Sequence, residues 1–250
     1  MATPGSLPPL SPNGWLRWDV VSRLLPPTGV DVLEVGCGQG GFAARLAQSY
    51  DYVGVEPDSV SAGVAADRLA TAGGRGVVHQ GDLSVLDPDA RFDLVCAFEV
   101  IEHIKDDEAA LRDWVERMRP GGWLLLSTPA FQHRFGPADE MVGHFRRYDP
   151  DAMRRLLREV GLEDVELVQF GAPLGYLLEA GRNAVGRRRA AKVAAAPMSA
   201  RTDESGRTLQ PSRPLQAAAA RLGTLPFRRV QRAFPQRGPG LVARARKPVA

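Results

Sequence analysis

The sequence predicts a doubly wound α/β fold, in which helices cover both faces of a mostly parallel, seven-stranded sheet. Short apolar runs alternate along the chain with segments of helical periodicity. Most of these runs are apolar almost throughout, as in parallel strands that are buried on both faces. The predicted strands cover 31–35, 52–55, 76–79, 92–98, 123–127, 162–170 and 240–246.

The predicted helices are bounded by residues that start or stop helical structure. Asn13 can cap the first helix, and Pro26 cannot continue it. Asp149 followed by Pro150 is a typical helix start, and Gly161 ends that helix. The predicted helices cover 13–25, 40–49, 59–72, 106–118 and 149–160.

Beyond residue 172 the alternation of strands and helices becomes irregular. Helical patterns cover 174–191 and 215–234, and the segment 194–214 is rich in Ala, Ser, Pro and Gly, which predicts a flexible linker. We therefore predict three parts: a flexible lead-in at 1–12, a core domain at 13–172, and a basic helical insertion at 173–250 that ends in an edge strand at 240–246.

Charge is distributed unevenly along the 250 residues. The net charge is only +3, but residues 1–172 carry −10 and residues 173–250 carry +13. Two explanations remain open: the basic part binds an anionic partner, or it packs on the acidic part of its own chain. For the first, we expect peripheral contact of residues 182–237 with an anionic membrane or another polyanion.

The remaining bulk features favour a cytoplasmic protein. No apolar run approaches the ~20 residues that cross a bilayer, and the N-terminus lacks the pattern of a signal peptide. Cys37 and Cys96 are too few for a disulfide framework and are expected to be reduced structural thiols. The sequence does not predict an oligomeric state.

A glycine-rich turn follows the first predicted strand. Gly36, Gly38 and Gly40 lie between that strand and the next helix, where glycine permits positive φ angles and close approach of a ligand. Together with Gly41, the first two also satisfy the dinucleotide fingerprint G-x-G-x-x-G, so the turn alone does not identify the ligand.

Acidic residues near the turn indicate which kind of ligand it binds. Glu34, two residues before the first glycine, would attract a cationic ligand and repel a pyrophosphate. Glu56, at the end of the second strand, can accept hydrogen bonds from both ribose hydroxyls of an adenosine. After the third strand, Asp82 can accept from an adenine amino group while Leu83 packs on the ring.

These segments, E-V-G-C-G-Q-G, V-E-P-D, G-D-L and R-P-G-G-W-L, resemble those of the class I S-adenosylmethionine-dependent methyltransferases over residues 13–170. The resemblance implies a Rossmann-like fold with S-adenosylmethionine as the cofactor. The residues expected to contact it are Glu34, Gly36, Gly38, Gly40, Glu56, Asp82, Leu83 and Glu99.

The segment E-V-I-E-H after the fourth strand resembles that of ubiquinone O-methyltransferase-like enzymes and of a family that methylates RNA 3′ ends. In some of these enzymes such residues bind a divalent cation, which implies that Glu99, Glu102 and His103 could hold Mg²⁺ or another divalent cation. Alternatively, His103 acts as a metal-free general base with Glu102, or the segment is structural.

A second polar cluster follows the fifth strand, where the G-H-x-R-R-Y run resembles a segment of the same group. His144 would complete a metal shell or act in catalysis on the acceptor. Arg146 and Arg147 would hold a carboxylate or phosphate, or pair with acidic residues such as Asp139 and Glu140.

The main functional hypothesis is therefore O-methylation of a small-molecule or lipid-linked acceptor. The alternatives are a metal-assisted RNA 2′-O-methyltransferase and an inactive adaptor that retains the cofactor pocket. Nucleic acid is the less favoured partner, because the basic region contains few aromatic residues for base stacking.

Overall fold

The computed structural model describes residues 5–193 and 214–249. Along the chain, the helices and strands are α1 Pro12–Leu24, β1 Asp31–Val35, α2 Ala43–Leu46, β2 Asp51–Glu56, α3 Ser59–Thr71, β3 Gly76–Gln80, β4 Phe92–Phe98, α4 Asp107–Glu116, β5 Met118–Pro129, α5 Pro137–Val142, α6 Pro150–Glu159, β6 Glu163–Phe170, α7 Leu174–Val193, α8 Pro214–Gly223, α9 Leu225–Ala233 and β7 Gly240–Arg246. The predicted linker at 194–214 lies almost wholly outside the described residues.

The seven strands form one sheet in the order β3-β2-β1-β4-β5-β7-β6. Strands β1 to β5 pair in parallel, and β7 runs antiparallel to both of its neighbours, β5 and β6. The predicted mostly parallel sheet is confirmed, since the chain reverses only at its last strand. Helices pack on both faces, as expected for a doubly wound fold.

The prediction that 240–246 forms an edge strand is wrong, because β7 lies inside the sheet. Arg244 and Arg246 alternate with apolar residues and so suggested a solvated face. In the structure both guanidinium groups lie over the ring of Trp123, at 4.7 and 5.4 Å from its centroid. Long arginine side chains thereby cover apolar surface while their charged ends stay near water.

The predicted flexible lead-in at 1–12 is packed on the rest of the chain from Pro8 onward, whereas residues 5–7 are exposed. Leu10 is buried in the core, and the guanidinium of Arg45 donates to the carbonyl of Pro8 at 2.8 Å. The cap of α1 is Ser11 rather than Asn13, because its hydroxyl accepts from the backbone N–H of Gly14 at 3.1 Å. The chain is therefore already packed before α1 begins.

Helix α1 packs on one face of the sheet. Leu16 and Val20 pack in the same cluster as Val32 of β1 and Leu94 of β4. Trp18 contacts Phe42 edge to face, with ring centroids 4.9 Å apart. Trp15 and Trp18 both pack against this cluster, so the face of α1 that carries them packs inward.

The basic region contributes three helices in the part of the chain that the structure describes. Helix α7 packs against α5, while α8 and α9 pack against α1. None of the described helices is long and apolar enough to cross a bilayer. Both cysteines are buried free thiols.

Candidate active site

The predicted cofactor residues meet at the carboxyl ends of four neighbouring strands. Strands β3, β2, β1 and β4 are adjacent in the sheet, so the segments that follow them share one rim. In open α/β sheets ligands bind at this rim, next to the point where the strand order reverses. That point lies between β1 and β4 here.

The glycine turn is joined directly to the end of β2. The backbone N–H of Gly38 donates to Oε2 of Glu56 at 2.7 Å, and the N–H of Gly36 donates to the carbonyl of Val55 at 2.9 Å. Both glycines have positive φ angles, +66° for Gly36 and +52° for Gly38. A Cβ at Gly36 would lie 2.7 Å from a methyl of Val100, whereas one at Gly38 would face open space. Gly38 is therefore where a ligand can approach the backbone.

Gly40 is constrained by packing. Its φ is +73°, and a Cβ there would lie 2.8 Å from the Cα of Ala65 in α3. The absence of a side chain at Gly40 lets α3 approach the turn closely.

Glu34 is buried at the end of β1, with its Oε2 accepting from the hydroxyl of Tyr52 at 2.7 Å. Burial raises the pKa of its carboxyl to about 8, although the hydrogen bond from Tyr52 and the charge of Arg17 oppose the rise. A cation that approaches Glu34 would favour its ionised form. Its role toward a cationic ligand is therefore coupled to proton release.

Glu56 and Asp82 lie side by side on the rim. The N–H of Gly81 donates to the backbone carbonyl of Glu56 at 2.9 Å, which places Asp82 next to β2. Asp82 is exposed and its Oδ1 accepts from the hydroxyl and the N–H of Ser84, contacts that lower the pKa of Asp82. Leu83 follows it half-buried.

Glu99 is held apart from the other acidic residues of its segment. Its backbone has a φ of +60°, and its Oε1 lies 3.3 Å from a guanidinium nitrogen of Arg17 and accepts from the hydroxyl of Ser127 at 3.1 Å. Glu99 thus joins the end of β4 to α1 and β5.

Glu102 is fully buried, and neither of its carboxylate oxygens has a hydrogen-bond partner among the described residues. Burial first, and then the charge of Glu99, raises the pKa of Glu102 well above its ordinary value, while a backbone group, the charge of Arg17 and the nearby hydroxyl of Thr128 oppose the rise. Oε1 of Glu102 lies 3.9 Å from Nε2 of His144. Buried polar atoms without partners are rare and mark a site where another group is expected to bind.

Ligand atoms of Glu102, His103 and His144 all lie within 4.8 Å of one another. The two imidazole rings meet edge to face, with centroids 4.5 Å apart. Burial, followed by the proximity of His144, lowers the pKa of His103 to about 4, while Glu99 and the backbone of Gly143 oppose the shift. His144, which was expected to complete a metal shell, converges with Glu102 and His103, whereas Glu99, the third residue of the expected group, contacts Arg17.

A buried ionic network positions His144. Its Nδ1 lies 2.8 Å from Oδ1 of Asp139, which also accepts from Nε of Arg147 at 2.9 Å. Although burial raises the pKa of Asp139, hydrogen bonds from His144 and Arg147 outweigh it and bring that pKa to about 2. Arg147 continues the network to Glu179 of α7 at 3.0 Å, and Glu179 also binds Arg134.

The proposal that Arg146 and Arg147 hold an anionic acceptor is wrong in this structure. Arg147 is buried between Asp139 and Glu179. Arg146 lies 2.6 Å from Asp107 and donates to the carbonyl of Lys105. Both guanidinium groups are therefore occupied by structural contacts.

Sequence reasoning missed three residues that shape the site: Arg17, Asp139 as the partner of His144, and Glu179. Arg17 and Glu179 act across large separations in sequence, such as the 82 positions between Arg17 and Glu99. Arg182 of α7 also lies in this electrostatic field, where burial lowers its pKa and Glu99 and Glu179 oppose the shift. Only the D-x-x-x-x-H spacing of Asp139 and His144 offered a local signal.

The fold and the rim together define an S-adenosylmethionine-binding domain of the class I methyltransferase type. The sequence profile of the methyltransferase domain family matches residues 15–167. The chain belongs to this family of S-adenosylmethionine-dependent methyltransferases.

Similar proteins agree with this assignment. A protein of Mycobacterium tuberculosis named probable S-adenosylmethionine-dependent methyltransferase is 34% identical over 163 residues, which cover 62% of this chain and 58% of the relative. The ubiquinone biosynthesis O-methyltransferase of Azorhizobium caulinodans is 38% identical over 107 residues, 42% of each protein. The chain thus spans about half the length of the curated relatives it matches.

Among solved structures, a phosphoethanolamine N-methyltransferase of Haemonchus contortus with bound S-adenosylhomocysteine superposes with a TM-score of 0.61 at 19% identity. The match covers 95% of this chain and 54% of that one. At this identity the superposition supports the fold alone.

Proposed function

We propose that this chain transfers the methyl group of S-adenosylmethionine to a hydroxyl oxygen of a small-molecule or lipid-linked acceptor. The observation that carries the proposal is the fully buried carboxylate of Glu102, whose oxygens have no partner among the described residues and which lies beside two histidines. This group of one carboxyl and two imidazoles lies on the same rim as the glycine turn and Glu56. A site that binds a methyl donor and removes a proton from a hydroxyl needs both parts.

The part of the rim formed by Glu34, Gly38, Glu56, Asp82 and Leu83, here called the donor half, suits S-adenosylmethionine. Gly38 leaves open space at the backbone, and Glu56 is positioned by that same glycine to face a ribose. Asp82 and Leu83 follow the neighbouring strand, where an adenine would extend from the ribose. Glu34 can bind the cationic methionine portion once it has lost its proton.

The cluster of Glu102, His103 and His144, here called the acceptor half, would align the acceptor hydroxyl with the methyl group and remove its proton. In the reaction a bond forms between the acceptor oxygen and the methyl carbon, and the bond from that carbon to the sulfonium breaks. The hydroxyl proton passes to the basic cluster, and S-adenosylhomocysteine leaves. With its pKa near 4, His103 is neutral at physiological pH and can accept a hydrogen bond that orients the acceptor hydroxyl.

A divalent cation fits the same cluster. Glu102, His103 and His144 offer a carboxylate and two imidazoles, a donor set that suits a transition metal better than Mg²⁺, which prefers oxygen ligands. Asp139 binds the second nitrogen of His144, as carboxylates commonly do behind a ligating histidine. When bound, the cation would lower the pKa of an acceptor hydroxyl.

The test is transfer of a tritiated methyl group from S-adenosylmethionine to a fractionated bacterial extract, with and without EDTA. We expect label in the small-molecule or lipid fraction, and little label with Glu102→Gln. Asp113→Asn, on α4 outside the site, is the matched control. Label found only in nuclease-sensitive RNA would support the RNA alternative, and no label in any fraction would support an adaptor. Loss of transfer with EDTA and its recovery with added Mn²⁺ would support the cation.

A further inference from the structure

The two helices α8 and α9 carry exposed apolar side chains among arginines. Leu215 is 82% exposed and Leu222 is 61% exposed, and both belong to α8. Leu225 and Val230 of α9 are also exposed large hydrophobic residues. Leu215 and Leu222 lie seven positions apart and therefore share one side of α8. Apolar side chains that are exposed together mark a surface that binds a partner.

The charge of this segment is entirely positive. Residues 214–249 contain eight arginines and lysines and no aspartate or glutamate. Four of the arginines, Arg221, Arg228, Arg229 and Arg237, form no ion pair with a carboxylate within the described chain. We call the exposed side chains of Leu215, Arg221, Leu222, Leu225, Arg229, Val230 and Arg237 the α8–α9 face.

Helix α9, which carries part of the α8–α9 face, is bound to α1. Gln231 of α9 donates to the backbone carbonyl of Leu16 in α1 at 2.9 Å and accepts from the N–H of Gly171, directly after β6, at 3.0 Å. Arg232 binds Asp19 of α1. Because α1 also supplies Arg17 to Glu99, the same helix joins the α8–α9 face to the catalytic rim.

We propose that the α8–α9 face binds the surface of an anionic lipid bilayer and presents the active site to a lipid-linked acceptor. Interfacial helices combine apolar side chains that enter the headgroup region with arginines that bind anionic lipids. The lipid-linked acceptor rests on the function proposed above, whereas binding to lipid does not require turnover.

Other occupants of this face are disfavoured by the same observations. A symmetric dimer would bring two uniformly positive segments together, which costs electrostatic energy. Single-stranded nucleic acid is recognised by stacking on aromatic side chains. Phe234, which is half-exposed, is the single exposed phenylalanine, tyrosine or tryptophan on α8, α9 and the described residues up to β7.

The experiment is co-sedimentation of the full chain with phosphatidylcholine vesicles that contain or lack phosphatidylglycerol. We expect binding only to the anionic vesicles, weakened by salt. Arg229→Gln together with Arg237→Gln should weaken binding by about fivefold per arginine. Leu215→Glu with Leu222→Glu should weaken it further.

The matched controls lie near strands β2 and β3, at one edge of the sheet, and outside the α8–α9 face. Val60→Glu in α3 places the same charge at an exposed apolar position, and Arg75→Gln removes an exposed arginine. Affinity for S-adenosylhomocysteine is measured for each variant and should stay unchanged. If the chain binds S-adenosylhomocysteine but does not bind anionic vesicles, the membrane proposal is overturned and the proposed methyl transfer is not. The proposal is also overturned if the control substitutions weaken vesicle binding as much as those in the α8–α9 face. Dissociation of a dimer by Leu222→Glu, or binding of RNA in place of vesicles, would overturn it as well.

Discussion

Nδ1 of His144 lies 2.8 Å from Oδ1 of the buried carboxylate of Asp139. Because an ionised carboxylate can only accept, this contact places the proton of a neutral His144 on Nδ1. Nε2 then presents its lone pair toward Glu102, 3.9 Å away. Asp139 is therefore a positioning residue for the basic cluster.

We predict that Asp139→Asn lowers kcat/KM for methyl transfer by about 10- to 100-fold, because the charge that fixes His144 is lost. Affinity for S-adenosylhomocysteine should stay the same, since Asp139 is remote from the donor half. Glu140→Gln, an exposed neighbour in α5, is the control. Equal kcat/KM in both variants would contradict the positioning role, and loss of cofactor binding would make the role structural.

Alanine at two glycines of the same turn should affect two different properties, stability at Gly40 and cofactor binding at Gly38. Gly40→Ala should lower the free energy of unfolding by about 2–4 kcal/mol, because it combines a left-handed φ with a clash against α3. Gly38→Ala should cost only about 1 kcal/mol of stability from its φ, yet weaken cofactor binding. Denaturant unfolding and calorimetric titration measure the two effects. Comparable stability of both variants would contradict the packing role of Gly40.

Binding of the cofactor should release a proton from Glu34. Its pKa near 8, set by burial and opposed by Tyr52 and Arg17, leaves it mostly protonated at pH 7, whereas the cofactor's ammonium favours the ionised form. Titration of S-adenosylhomocysteine in buffers of different ionisation enthalpy should therefore show release of up to about 0.9 proton. Affinity should fall as the pH is lowered below 8.

Glu34→Gln is the decisive variant for this linkage. It should abolish the proton release, whereas Asp82→Asn should retain it. A binding enthalpy of the wild-type protein that does not depend on the buffer would refute the coupling.

The contact of Asp19 with α9 should stabilise the fold in a pH-dependent way. Burial raises the pKa of Asp19, but hydrogen bonds from Arg232 and Gln231 lower it overall. A lowered pKa means that the stabilisation is present above the ordinary value of 3.8 and is lost as the pH falls through the folded-state pKa.

Asp19→Asn should therefore lower the free energy of unfolding by about 2 kcal/mol at pH 7, with a smaller difference near pH 3. Asp67→Asn, on α3, is the control. A difference that grows with acidity would have the wrong sign for this account.

The strands and the glycine turn could be predicted because their signals are local. Continuous apolar runs identify buried strands, and Glu34, Gly38 and Glu56 follow strands whose ends must meet in a parallel sheet. The position of β7 could not be predicted, since the stacking of Arg244 on Trp123 depends on a residue more than 100 positions away.

The roles of Glu99 and Glu102 could not be distinguished from sequence either. Both are acidic residues of one short segment, and only the backbone of Glu99, with its φ of +60°, turns that side chain toward Arg17. Convergence of His144 with Glu102 depends on the path of the chain after β5. Tertiary contacts, rather than the local sequence pattern, determine where these three side chains lie.

Calorimetric titration of S-adenosylhomocysteine into the wild-type chain and into Glu56→Gln tests the central claim most directly. We predict saturable binding by the wild type and affinity about 10-fold or more weaker in the variant, because the carboxylate proposed to bind the ribose hydroxyls is lost. Glu108→Gln, on the exposed face of α4, should bind like the wild type. Binding of NAD without binding of S-adenosylhomocysteine, or equal affinity in Glu56→Gln, would contradict the account.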